Sequence, residues 1–395
     1  WTGDIAVFAP TASFLFDVED FLASWCRDLA LEQAAAGVPF VVPDPLKYGE
    51  LPEGIVGTPV TAIWSDAAIW VPWALWQASG STAIIEAQFE SMTRHLDSVR
   101  ARLGDNGCWA DDGFQFGDWL DPAAPPDRPG EARADNFVVA TACAYRSATM
   151  FADLAAATER ADIAAEARAL AERIRAGFRA GYLEPDGRIR SDAPTVYAIA
   201  IAFGILTEDE AARSGDRLAA LVAENGYRIS TGFAGTPYIS EALSSSGHHD
   251  VAVRLLLERE CPSWLYPVTM GATTMWERWD SMLPDGTVNP GEMTSFNHYA
   301  LGSVADWLHR SVAGLAPAAP GYAAIRFAPG PAEGIDDAAA ELETPHGRAA
   351  IAWRRDGQSL AVDLVVPDGV PAVLVGPNGV ETPVEPGTST HVLAL

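Results

Sequence analysis

Apolar residues recur at helical spacing through most of the chain and at strand spacing only towards its end. Residues 13–36 (SFLFDVEDFLASWCRDLALEQAAA) repeat apolar positions every three or four residues and stop before Gly37, which predicts a helix. A Pro- and Gly-rich loop follows to residue 60. The same spacing predicts helices over 61–79, 81–103, 132–157, 160–181 and 193–204, then 208–225, 237–246, 248–259 and 295–313. Short connections between them predict antiparallel helix pairs. After APAAPGY (316–322) the apolar runs become short and alternating, broken by Pro-Gly, Asp-Gly and Asn-Gly turns. That predicts a small antiparallel β-sandwich over 317–395. The fold class is therefore mainly α. About ten helices in pairs suggest a toroid of two concentric rings over 1–316, with a pocket at one end lined by the loops between helices.

Length and charge narrow the function. A chain of 395 residues is expected to hold two domains. Its net charge of −27, from 26 Lys+Arg against 53 Asp+Glu, argues against nucleic acid, anionic membranes or an anionic polymer as partner. A neutral ligand fits better. Thirteen Trp are more than a core of this kind needs and hint at stacking surfaces. Cys26, Cys108, Cys143 and Cys261 show neither CxxC pairing nor metal spacing with His, and read as reduced and structural. No apolar run approaches the roughly 20 residues of a membrane helix. The expected location is cytoplasmic, with secretion or a periplasmic location left open because the first residue is Trp1 rather than Met. Nothing in the sequence sets an oligomeric state.

Five polar and aromatic clusters carry the candidate chemistry. In GATTMWERWD (271–280) one carboxylate, Glu277, stands between Trp276 and Trp279. An unpaired buried Glu is expensive, and a solvated surface would not choose two tryptophans. The combination suits a pocket for something polar with apolar faces, such as a sugar; a buried pair with Arg278 is the structural alternative. If 275–281 form a helical turn, Glu277 and Asp280 share a face. In WTGD (1–4), Asp4 and Trp1 face the mouth of the toroid, or Asp4 caps a helix. In IWSDAAIWVPW (63–73), Trp64 faces the mouth and Asp66 either joins it or caps the helix opened by Ala67, while Trp70, Trp73 and Trp76 read as core. In FGDWLDP (116–122), Asp118 and Asp121 bracket Trp119: the acids accept from sugar hydroxyls and the ring packs on C–H faces, or the acids make Asx turns. In SFNHYALGS (295–303), His298 either binds ligand or is structural. No metal constellation, GxSxG, GxGxxG or phosphate-binding loop appears, so no cofactor is expected. Carboxylate chemistry remains: glycoside hydrolysis needs one protonated carboxyl group and one ionised one flanking the bond.

Several long stretches resemble bacterial α-L-rhamnosidases of glycoside hydrolase family 78. They are WTGDIAVFAPTASFLFDVEDFLASWCRDLALEQ with VPFVVPD, GDWLDP, STGFAGTPYISEALSSSGHHDVAVRLLL, PSWLYPVTMGATTMWERWDS and SFNHYALGSVADWLHRSVAGL. The likeness extends through the β-domain from PGYAAIRFAPGP. It implies an (α/α)6 barrel, which agrees with the paired helices. It also implies inverting release of terminal α-L-rhamnose from a small-molecule or oligosaccharide rhamnoside. Glu277, in the family's GATTxWERWD motif, is implied as general base. Trp1 and Asp4 are implied to line the rhamnose pocket, His298 to bind the sugar, and Trp64 and Trp119 to wall the pocket. Asp66, Asp118, Asp121 and Trp279 carry over more weakly.

One departure matters. In the family, a stretch reading roughly RDERLG precedes WTGD, and the general acid Glu lies there, four residues before the Trp. This sequence begins at that Trp. With ten or eleven helix candidates where a full barrel has twelve, the expectation is a barrel truncated at its N-terminus. If nothing preceded Trp1, little hydrolase activity would be expected, with Asp4 a poor substitute acid. A non-catalytic carbohydrate-binding toroid and a toroid glycosidase or lyase for another sugar are the rival readings. A uronate lyase would want Arg or Lys clamps, which the charge disfavours.

Overall fold

In a computed structural model, residues 1–33, 37–48, 59–125 and 127–395 are described. Two kinds of helix alternate along the chain. The helices α1 (Thr2–Leu15), α3 (Ala67–Ser79), α5 (Asn136–Ala157), α7 (Pro194–Ala202) and α9 (Thr236–Ser245) are largely apolar or small around their circumference, with isolated exceptions such as Asp4, Arg146, Asp153 and Glu241. Such helices must be surrounded by protein. Between them, α2 (Glu19–Glu32), α4 (Ala83–Arg102), α6 (Ala161–Tyr182), α8 (Glu208–Glu224) and α10 (His249–Leu257) each bury one stripe and show a charged face to water. In α8 the buried stripe is Ser214, Gly215, Leu218, Ala219 and Val222, and the start is fixed by a capping box between Thr207 and Glu210.

The all-buried helices form the inner ring and the striped ones the outer ring. Going round the inner ring, α1 packs on α3, α3 on α5, α5 on α7 and α7 on α9. A composite segment closes the ring against α1: a 3-10 turn at Ala300–Ser303, then α12 (Val304–Trp307), then a π-helical turn at Leu308–Ala313. A short α11 (Leu265–Thr269) precedes it.

The connections differ sharply at the two ends. At the rear, where each inner helix hands over to an outer one, the joints are 16–18, 80–82, 158–160, 203–207 and 246–248. Gly80 fits one of them because it sits at φ 71°, in the left-handed region. At the front the connections are 33–66, 103–135, 183–193, 225–235 and 258–299. The longer connections therefore gather at the end where the inner helices begin.

The sequence reading needs correction at the first helix. Residues 13–36 do not form one helix: α1 ends at Leu15, Phe16 is extended, and α2 starts afresh at Glu19. The WTGD cluster is not a loop but the entry into α1. Residues 34–36 lie outside the described set. The 295–313 helix is likewise only α-helical at its centre.

The C-terminal domain begins at β1 (Leu315–Ala319) and continues through β2 (Ala324–Phe327), β3 (Asp337–Thr344), β4 (Gly347–Asp356), β5 (Ser359–Val366), β6 (Ala372–Val375), β7 (Glu381–Val384) and β8 (Gly387–Ala394). Two four-stranded sheets, β1-β2-β6-β7 and β3-β4-β5-β8, face each other. Ile325, Phe327 and Leu374 from one meet Ile351, Trp353, Val362 and Leu364 from the other. The expected antiparallel pattern holds for every strand pair but one: β2 and β6 run parallel. The domain is fastened to the rear of the barrel. Trp353 donates its indole N–H to the Val312 carbonyl at 3.0 Å, and His249 Nε2 lies 3.1 Å from the Gly330 carbonyl.

Candidate active site

At the front, the ends of the inner helices and the long connections enclose a cavity of about 110 Å³. Seven of the sequence candidates meet there: Trp1, Asp4, Trp64, Trp119, Glu277, Trp279 and His298.

Glu277 lies in an irregular segment, not in a helical turn. Its backbone N–H donates to the Ser295 carbonyl at 2.9 Å, and the Ser295 N–H donates back to Glu277 Oε2 at 3.2 Å. The side chain is half-buried and forms no ion pair among the described residues. The alternative pairing with Arg278 does not occur. Arg278 instead binds Asp280, Nε to Oδ1 at 2.7 Å, and Asn289 holds the same carboxylate at 2.8 Å. Asp280 is thereby committed, and the shared face of Glu277 and Asp280 does not form. Trp276 also turns away from the cavity, packing edge-on against Tyr266 and Phe296.

Asp4 and His298 face the same cavity as a pair, with His298 Nε2 2.8 Å from Asp4 Oδ1. Burial pulls the imidazole towards its neutral form. The hydrogen bond and charge of Asp4, with the charge of Glu277 added, outweigh that and raise its pKa above the ordinary value. Asp4 does not cap α1: the N-cap position is Trp1 and no side-chain cap bond is made there.

The walls are aromatic. Trp64 stacks with Phe116 and with Phe233, their ring centres 4.0 and 4.7 Å from its own. It fits against α1 only because Gly3 carries no side chain: a Cβ there would stand 2.6 Å from the indole. Trp119 meets Phe116 edge-on at 5.6 Å, and Trp279 meets Trp264 edge-on at 5.7 Å. Trp1 is 57% exposed at the rim. Three non-glycine residues in the left-handed region sit here or directly beside it: Ile63 (φ 69°), Leu120 (φ 60°) and Met293 (φ 59°). Each such residue costs about 1–3 kcal/mol, and such strain concentrates at functional sites.

Asp66, Asp118 and Asp121 do not line the cavity, which corrects the expectation that they hold ligand. Each is almost wholly buried and already saturated with protein donors. Asp66 accepts from the Ile63 N–H at 2.7 Å and the Ser147 hydroxyl at 2.6 Å and pairs with His95 at 2.9 Å, so it ties α3, α4 and α5 together. Asp121 takes Arg133 through Nη2 at 2.8 Å and Nε at 3.0 Å. Asp118 accepts from the Thr195 hydroxyl and the backbone N–H groups of Gly232, Ala234 and Gly235. Burial and then the charge of Asp121 push its carboxyl up to about 6, against the pull of those hydrogen bonds. It acts from below the wall: the strand of chain it grips, Thr231–Gly232–Phe233, lines the cavity. These three residues, Phe116 and Met293 were missed by the sequence reading. For Thr231 and Gly232 the Gly-rich STGFAG stretch was the available signal. Trp70 is core as expected, while Trp73 is only half-buried and borders a second, rear cavity.

Among the described residues no group of three His, Cys, Asp or Glu stands ready for a metal, and no helix is long and apolar enough to cross a membrane.

Comparison with known proteins agrees with this geometry. Residues 1–312 match the bacterial alpha-L-rhamnosidase six-hairpin glycosidase domain, and residues 314–390 match the bacterial alpha-L-rhamnosidase C-terminal domain. A Streptomyces avermitilis alpha-L-rhamnosidase is 36% identical over 94% of this chain, and one from Formosa agariphila is 32% identical over 96%. The native Aspergillus terreus enzyme superposes over the whole chain with TM-score 0.92 and 34% identity. The Streptomyces avermitilis enzyme complexed with L-rhamnose does so at 0.85, also with 34% identity. The chain spans only part of these relatives: 34% and 40% of the two sequences, 45% and 37% of the two solved chains.

Proposed function

The chain belongs to the bacterial α-L-rhamnosidase family, and from that premise we propose that it carries the water-activating side of an inverting rhamnoside hydrolase, with Glu277 as general base. The observation that carries this reading is the state of Glu277: a carboxylate with no counter-ion, oriented by Ser295 and facing a cavity beside the Asp4–His298 pair. Such a group is free to take a proton from water as that water attacks the anomeric carbon. The proton for the leaving oxygen comes from a carboxylic acid expected four residues upstream of Trp1, at a separation of roughly 6.5–9.5 Å from Glu277 that leaves room for the water.

The other residues bind and orient. Asp4 and His298 hold ring hydroxyls, one accepting and the other donating. Trp1, Trp64, Trp119 and Trp279 pack on ring carbons and the C6 methyl, which a deoxy sugar presents and glucose does not. A neutral rhamnoside also suits a protein of net charge −27.

Glu277→Gln tests the reading. It should leave the melting temperature unchanged and lower kcat on an aryl α-L-rhamnoside by about 10²–10⁴-fold. Proton NMR of the unmodified enzyme's first product should show the β-anomer. Full turnover by Glu277→Gln, or the α-anomer as first product, overturns it.

A further inference from the structure

Behind the floor of the front pocket lies a second cavity, of about 500 Å³ against about 110 Å³ in front. The rear halves of the inner helices enclose it, and the β-domain roofs it through Tyr322, Leu342 and Glu343.

Its most unusual wall group is Arg146. The guanidinium lies 4.8, 4.4 and 4.9 Å from the ring centres of Trp70, Phe203 and Tyr238. It has neither an ion-pair partner nor a hydrogen-bond acceptor among the described residues, and its Nε is fully buried. Arg146 as a whole is only half-buried, so its terminal nitrogens, which have no acceptor among the described residues, are costly to leave unpaired and are available to donate to an occupant of the cavity. The rest of the lining offers the complement. Gln77, Asp153, Glu241 and Glu343 can accept, and Phe14, Trp73 and Tyr322 supply aromatic surface.

Charge decides among ligand classes. Arg146 and Arg310 face Asp153, Glu241, Asp306 and Glu343, so acid is in excess. The inner helices also direct their negative C-terminal ends this way. An anion is disfavoured by that field, and a cation by Arg146 itself. A polyhydroxylated neutral molecule donates and accepts at each hydroxyl and lays C–H faces on rings, so it uses every feature of the wall. The cavity is more than four times the volume of the front one, room for more than a single ring.

We propose that the rear cavity is a second carbohydrate-binding site, taking a neutral saccharide of two or more rings, with Arg146 donating to its oxygens. The proposal is independent of the role given to Glu277.

Calorimetric titration of the protein with four sugars, maltose, cellobiose, sucrose and rutinose, tests it, with sodium glucuronate and spermidine titrated as charged controls. At least one should bind with millimolar or tighter affinity. That binding should survive in a Trp1→Ala front variant and weaken about tenfold or more in Arg146→Met, by loss of one charged donor group. Because Arg146→Met removes a packed side chain, Gln77→Ala at the half-exposed edge serves as the second variant and should weaken binding in the same direction. The proposal is overturned if none of the four binds. It is equally overturned if binding is lost with Trp1→Ala and untouched by both rear variants, or if the rear variants alter only the binding of sodium glucuronate or spermidine.

Discussion

Replacing Asp118 by Asn separates the shape of the pocket wall from the stability of the barrel. One oxygen, Oδ1, accepts from the backbone N–H groups of Ala234 and Gly235, both at 3.0 Å. The other accepts from the Gly232 N–H at 2.8 Å and from the Thr195 hydroxyl at 2.5 Å. An asparagine that keeps its oxygen towards Ala234 and Gly235 turns an amide N–H₂ on Gly232, donor against donor. One buried N–H is then orphaned, at about 1–3 kcal/mol. The opposing effect has similar size. The carboxyl is shifted from 3.8 to about 6 in the fold, so holding it ionised at neutral pH costs roughly 3 kcal/mol at 1.36 kcal/mol per unit. The amide carries no such charge. The two effects offset, and the melting temperature should move by no more than about 5 °C.

Activity should not be spared. Freed from Asp118, Gly232 and its neighbours Thr231 and Phe233 shift in the wall, and a misplacement near 1 Å costs on the order of 100-fold. We expect kcat/KM on an aryl α-L-rhamnoside to fall about 10–100-fold. The pH profile supplies a second signature. Between about pH 4 and 6 the native protein holds the Asp118 proton and the unfolded chain does not. This contribution to stability is therefore full below pH 4 and lost as pH rises through 6. Asp118→Asn should remove that slope from thermal denaturation measured across the range. An asparagine variant with unchanged kcat/KM refutes the wall-clamp argument, and a fall of more than about 10 °C in Tm refutes the cancellation.

Two further outcomes follow from the same site. In Gly232→Ala the new Cβ would stand 2.3 and 2.5 Å from the carbonyl oxygens of Asp118 and Trp119; with only backbone to yield, thermal denaturation should show a loss of about 1–3 kcal/mol, and an unchanged Tm would show that the wall gives freely. His298 has a raised pKa in the fold, so its pairing with Asp4 adds stability fully present below the ordinary histidine value and lost as pH rises through the raised one; the Tm gap between wild type and His298→Gln should shrink from pH 6 to pH 9, and a constant or growing gap would contradict the pairing.

Helix spacing was legible because the outer helices keep a polar face, and β-runs because they alternate. The first helix was not. Apart from Asp4, Thr2–Leu15 is apolar or small all round, holds Gly3 and Pro10, and so lacks the stripe that marks an amphipathic helix. Glu277 could be picked out because its neighbours in sequence already disagree with burial. For Asp66, Asp118 and Asp121 an acid beside a Trp reads the same whether it points into a pocket or beneath it. What turns them down is tertiary: His95, Arg133 and the Gly232 N–H lie 29, 12 and 114 residues away. Phe116, Phe233 and Met293 were invisible for a similar reason, since apolar pocket walls share their composition with the core.

The unequal joints of the two rings have an evolutionary consequence. Rear joints of three to five residues tolerate almost no insertion without dragging two helices apart. The front spans can lengthen, shorten or trade side chains while their anchoring helices stay put. A lineage can thus reshape the front cavity by editing one end of the molecule, and the inherited frame behind it need never be reinvented.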